Sequence, residues 1–314
     1  MYFYLPIALT SISLPLIVGL GLLVGLLSGL FGVGGGFLLT PLLIMFGIPP
    51  TVAAASDSLQ IVGASTSGTF AHWKLGNVDF KMGVCLLIGG FAGGLGGVQL
   101  IKMLRMMGNA DFIIKITYVL MLGIVGGYMF FESLNALKKS KASAAVKQAD
   151  SSGQKSRRES GFVAFIRKLP MQTRFEKSGV THSAILVVAM GALVGILAAI
   201  MGVGGGFLMV PVMIYLLRMP MHVVVGTSLF QILFTCIEVS FLQAYTNHTV
   251  DFILAVMLLV GSTFGTQIGS IIGRKLHGDQ LKILLAVIVL AVTAKIMLDL
   301  LIEPSLLLSL KGGH

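Results

Sequence analysis

Charge is what this chain has least of. Asp, Glu, Lys and Arg make up 11% of its 314 residues, where a soluble domain carries roughly 25%. Hydrophobic residues reach 56% and mean hydropathy is +0.97. An ordinary soluble fold is thereby excluded, and several apolar runs attain the ~17–25 residues that cross a bilayer. The two cysteines, Cys85 and Cys236, lie in apolar runs and form no CxxC, which removes a disulfide framework and a cysteine metal site. No Ser/His/Asp, HExxH or paired-carboxylate spacing occurs, so the chain reads as a non-enzyme that needs no cofactor. The start, MYFYLPIALTSISLP, lacks a basic n-region and a small-residue cleavage pattern. It reads as the beginning of the first span rather than a removed signal peptide.

What the chain does have is one phrase, stated twice. Residues 31–41 are FGVGGGFLLTP and residues 201–211 are MGVGGGFLMVP. The offset of 170 holds for the four glycines and the proline, and GLLVGLL at 21–27 answers GALVGIL at 191–197. DSL at 57–59 answers TSL at 227–229, and VDF at 78–80 answers VDF at 250–252. A glycine break between apolar helical stretches lets the backbone unwind and lets another group approach closely. It also leaves the next helix with unpaired N–H groups, a natural anion site. The GxGxxG dinucleotide fingerprint is not met, because its spacing fails at Phe37.

The repetition divides the chain into a first transmembrane repeat (1–137), a basic linker (138–180) and a second transmembrane repeat (181–314). Residues 138–177 hold eleven Lys or Arg against three acids. Such a stretch reads as a flexible linker kept in the cytoplasm by the positive-inside bias, with 162–175 suited to the membrane surface. With the linker inside, five crossings per half place six other basic residues inside and four outside. Four crossings per half give three inside and seven outside. Charge therefore favours an inverted five-plus-five arrangement with both termini outside. The predicted fold is an all-α polytopic membrane protein whose Gly-broken helices meet near the membrane midplane.

Paired broken helices in matching positions point to a transporter's binding site. The candidate substrate-binding residues are Gly34, Gly35, Gly36, Gly204, Gly205 and Gly206, with Ser58, Gln60, Thr227, Ser228 and Gln231 on the polar runs that follow. Neutral hydroxyl and amide groups suit an oxyanion stripped of its water. Asp57 and Glu238 are ionisable residues within spans and so are candidates for ion coupling. His72 reads as interfacial, and Lys295 with Asp299 as a structural helical ion pair.

At SGLFGVGGGFLLTP, AAIMGVGGGFLMVP, SDSLQ, GTSLFQ and WKLGNVDF the sequence resembles the sulfite exporter TauE/SafE family, over nearly the whole chain outside 138–177. The resemblance implies a permease of the bacterial inner (cytoplasmic) membrane, multi-pass. It implies a small anionic sulfur substrate: sulfite, sulfoacetate, thiosulfate or a related organosulfonate. The expected partners are that anion and membrane lipids, with no nucleic acid, and a homo-oligomer stays open. An anion-selective channel on the same repeat and a metal or cation exporter are the alternatives.

Overall fold

The structure is a computed structural model that describes residues 2–31, 36–143, 172–175, 177–213, 217, 219–273 and 278–302. Two β-hairpins and ten α-helices occupy the described residues. Strands β1 (Tyr2–Leu5) and β2 (Thr10–Ser13) precede α1 (Leu14–Phe31), α2 (Gly36–Met45), α3 (Pro50–Lys74), α4 (Phe80–Met106) and α5 (Ala110–Ser143). Strands β3 (Gln172–Phe175) and β4 (Val180–Ser183) precede α6 (Ala184–Met201), α7 (Gly206–Pro211), α8 (Met221–Leu242), α9 (Phe252–Gly273) and α10 (Gly278–Ile302). The chain is an all-α polytopic membrane protein in which five helices of the described residues are long and apolar enough to cross a bilayer.

The N-terminus departs from the sequence expectation. Residues 2–13 are a hairpin, not the start of a span, and the first helix begins at Leu14. Leu5 and Ala8 are buried under it, and the Ile7 N–H donates to Asp251 Oδ2 at 3.3 Å. That anchor on a distant loop is what residues 1–15 alone do not reveal.

Helices from opposite ends of the sequence pack on one another: α1 on α9, α4 on α6, α3 on α8, and α5 on α10. In the first two pairs, small residues spaced by four bring the backbones into contact. Gly261, Gly265 and Gly269 lie against Val18, Leu22 and Leu26 of α1, while Gly191 and Gly195 lie against Leu86 and Gly90 of α4. The order of these contacts gives direction. Helices α1 and α9 run parallel, as do α4 and α6. Helix α4 also runs parallel to α8, because Gly83, Gly90 and Gly94 face Phe230, Thr235 and Glu238 in turn. Helices α5 and α10 are antiparallel, Gly123 lying against Thr293 and Gly126 against Val289. Helices α3 and α8 run in opposite directions, Gly68 lying against Leu229 while Ile61 packs on Ile232 and Cys236.

Two aspartates tie the hairpins down. Asp79 Oδ1 caps α4 by accepting from Met82 N at 3.2 Å, and its Oδ2 accepts from Ser178 N at 3.1 Å and Ser178 Oγ at 2.5 Å. Its own N–H donates to Thr227 Oγ1 at 3.0 Å. Asp251 is built alike. It caps α9 through Leu254 N at 3.1 Å, holds Ile7, and donates its N–H to Ser56 Oγ at 2.9 Å.

Candidate functional site

The second glycine break lies in the crevice between α3 and α8. Helix α6 ends at Met201, where Gly202 turns left-handed at φ 70° and donates its N–H to Ala198 O at 2.8 Å. Gly204 and Gly205 are left-handed as well, at 68° and 73°. A Cβ on Gly202 would overlap the Ala54 carbonyl of α3. A Cβ on Gly204 would stand 2.6 Å from Cys236 Sγ, 2.7 Å from Ile232 Cγ2 and 3.5 Å from Ile61 Cγ2. Only glycine satisfies both the dihedral and the approach. The Ser58 hydroxyl donates to Gly202 O at 3.2 Å and to Ala54 O at 3.1 Å, and the Tyr118 hydroxyl of α5 donates to Met201 O.

Gly36, the last glycine of the first phrase, meets the same place. Gly34 and Gly35 lie outside the described residues, but Gly36 opens α2 against Ile61 and Asp57, and Ile61 is thus shared with Gly204. Asp57 sits two turns inside α3 and not at its start, so it is no N-terminal acid. It is fully buried, as are Thr40 and Ser58. Thr40 Oγ1 donates to Asp57 Oδ2 at 2.7 Å, whereas Asp57 Oδ1 has no partner among the described residues. A buried carboxyl oxygen without a donor is costly.

The structure gathers Gly36, Gly204, Asp57 and Ser58, and adds Thr40, Ile61, Tyr118 and Cys236. Other candidates engage elsewhere. Gln60 Nε2 donates to Ser262 Oγ of α9 at 2.6 Å. Gln231 Nε2 donates to Thr235 Oγ1 at 3.0 Å beside Gly90 of α4. Ser228 turns back on its own helix, donating to Val225 O at 3.1 Å. Thr227 receives the Asp79 N–H. Gly205 lies against Val194 of α6, and Gly206 begins α7. Glu238 is half-buried against Gly94, its Oε2 unpartnered among the described residues. No three His, Cys, Asp or Glu side chains gather as a metal site among the described residues. Thr40 as the partner of Asp57 escapes sequence reasoning, because a threonine within an apolar run carries no signal of its own.

The family model for the sulfite exporter TauE/SafE matches residues 17–296. The chain belongs to that family. This TauE/SafE protein is 26% identical over 295 residues to the probable membrane transporter protein YunE of Bacillus subtilis, covering 91% of this chain and 98% of that protein. It is 27% identical over 277 residues to the probable membrane transporter protein YjnA of the same organism, covering 87% and 96%. It is also 38% identical over 98 residues to the sulfite exporter TauE/SafE family protein 5 of Arabidopsis thaliana, covering 29% and 21%. No solved structure matches the chain. The TauE/SafE protein is therefore a multi-pass membrane protein of a transporter family.

Proposed function

We propose that this protein exports a small sulfur-containing anion (sulfite, sulfoacetate, thiosulfate or a related organosulfonate) across the bacterial cytoplasmic membrane by ion-coupled alternating access. The observation that carries the reading is the convergence of Gly36 and Gly204 on Ile61, beside the buried Asp57 and its unpartnered Oδ1. The opposed directions of α3 and α8 and of α5 and α10 support two inverted five-helix repeats, 1–137 and 181–314, joined by a cytoplasmic linker. Rocking of one repeat against the other would expose the centre alternately to each side. Gly34 and Gly35 complete the first break in this scheme.

Asp57 is the coupling group. Its carboxylate and the substrate carry like charge, and two such charges cannot share a low-dielectric centre without a large repulsion. Anion entry and protonation of Asp57 therefore go together. The protonated carboxyl and the hydroxyls of Thr40 and Ser58 then serve as donors to the oxyanion. The protein acts by binding and conformational change, not catalysis.

Thermal unfolding of the purified protein in detergent with sulfite, sulfoacetate, thiosulfate, sulfate and chloride tests the reading. A ligand at 100 times its Kd adds ~2.7 kcal/mol of stability. A selective shift with a sulfur oxyanion, lost in Asp57→Leu, is the expected result. No shift with any anion would overturn the anion reading.

A further inference from the structure

One end of α3 carries an aromatic ladder with ammonium groups at its mouth. Lys74 Nζ stands 4.5 Å over the Phe70 ring. Phe70 meets Trp73 edge-on at 6.2 Å, Trp73 meets Phe80 at 6.3 Å, and Phe80 meets Phe230 at 5.4 Å. Phe230 meets Phe234 at 5.1 Å, and Lys177 Nζ stands 5.9 Å over Phe80. Thr69, Trp73, Phe80, Phe230 and Phe234 line an apolar cleft of about 210 Å³. Trp73 is 56% exposed and Phe234 39%.

Among the described residues neither lysine has a carboxylate partner. The ion pair among the described residues is Lys295–Asp299 on α10, and the nearby Asp79 carboxylate is occupied by Met82 and Ser178. The corresponding end of the second half is different. There Tyr245 stands where Trp73 does, while Thr246 and Ile253 stand where Lys74 and Lys81 do. Interfacial aromatics occur at both membrane faces, so they account for Tyr245 as well as Trp73. The positive-inside bias places the lysines at one end alone, and there they give this cleft a cationic mouth that the other end lacks.

We propose that this cleft is a binding site for an anionic phospholipid of the leaflet facing the basic linker. One acyl chain lies against the rings, and the phosphate sits between Lys74 and Lys177. Lysines near an anionic membrane surface each contribute a roughly fivefold gain in affinity. The site depends only on membrane embedding and stands apart from the transport reading.

Trp73 is the single tryptophan of the chain, so its fluorescence reports on this cleft. The full-length protein is reconstituted in phosphatidylcholine vesicles containing phosphatidylglycerol, with either lipid brominated near the carbonyl end of its acyl chains. Brominated phosphatidylglycerol should quench Trp73 well beyond its bulk mole fraction. Lys74→Gln and Lys177→Gln should each weaken that preference about fivefold, and together about 30-fold. Lys295→Gln, remote on α10, should leave it unchanged. Equal quenching by the two lipids in the wild-type protein, or a preference that survives the double substitution, overturns the site.

Discussion

Replacing Gly204 by alanine adds one methyl group at the point where both halves meet. At φ 68° an L-residue costs about 1–2 kcal/mol over glycine. The new Cβ would also stand 2.6 Å from Cys236 Sγ and 2.7 Å from Ile232 Cγ2. Both are side-chain atoms that can give way, and overpacking of this kind costs about 1–3 kcal/mol. The total is about 2–5 kcal/mol, read as a lower denaturant midpoint in detergent micelles. Its two parts are separable. Cys236→Ala removes the sulfur, so Gly204→Ala with Cys236→Ala should be more stable than the sum of the single effects by about 0.5–2 kcal/mol. The dihedral cost should remain in the double variant. Gly204→Leu should abolish transport while the protein still inserts. A Gly204→Ala protein as stable as wild type, or strictly additive behaviour with Cys236→Ala, would refute the placement of the break between α3 and α8.

Thr40→Val removes the hydroxyl that donates to Asp57 Oδ2 at 2.7 Å. It should cost about 1.5–3 kcal/mol in the same titration if the carboxyl is ionised, with Thr40→Ser close to wild type. Gln60→Ala breaks the 2.6 Å bond to Ser262 and should cost only ~0.6 kcal/mol. A double-mutant cycle with Ser262→Ala should return that coupling, and the anion flux should be unchanged. Asp251→Ala removes the α9 cap and the anchor of Ile7. Loss of the cap alone costs about 1 kcal/mol, and hydrogen exchange should rise in residues 2–13 while α4 stays protected.

Much of this architecture is written in the sequence as repetition. The duplicated glycine phrase and the later VDF match locate the breaks, the polar helices behind them and the loops that start α4 and α9. Five of the ten described helices precede the basic linker and five follow it. Other features are legible only through long-range contacts. The first hairpin hides in an apolar context and the second in the basic linker, and their turns differ. Gly179 takes φ 67° in the second turn, whereas Leu9 holds φ 52° at the same offset of 170. Leucine gives no local warning of a left-handed turn, and extending the repeat upstream from β3–β4 is the signal that would find it. The amide side chains behaved differently from the glycines for a related reason. Gln60 and Gln231 lie on polar helix faces, but which neighbour each face meets depends on the crossing of the two halves. Residues 144–171 of the basic linker lie outside the described residues, and 172–175, expected at the membrane surface, form β3.

The central claim is that one buried centre binds a sulfur oxyanion together with a proton on Asp57. Its most direct test is flux of radiolabelled sulfite, with sulfoacetate and thiosulfate as competitors, in proteoliposomes that enclose a pH indicator. The account predicts saturable, trans-stimulated sulfur-anion flux that moves protons in the wild-type protein, and Asp57→Asn flux that is lost or no longer moves them. Absence of flux for all three anions, or identical proton movement in Asp57→Asn, would contradict it.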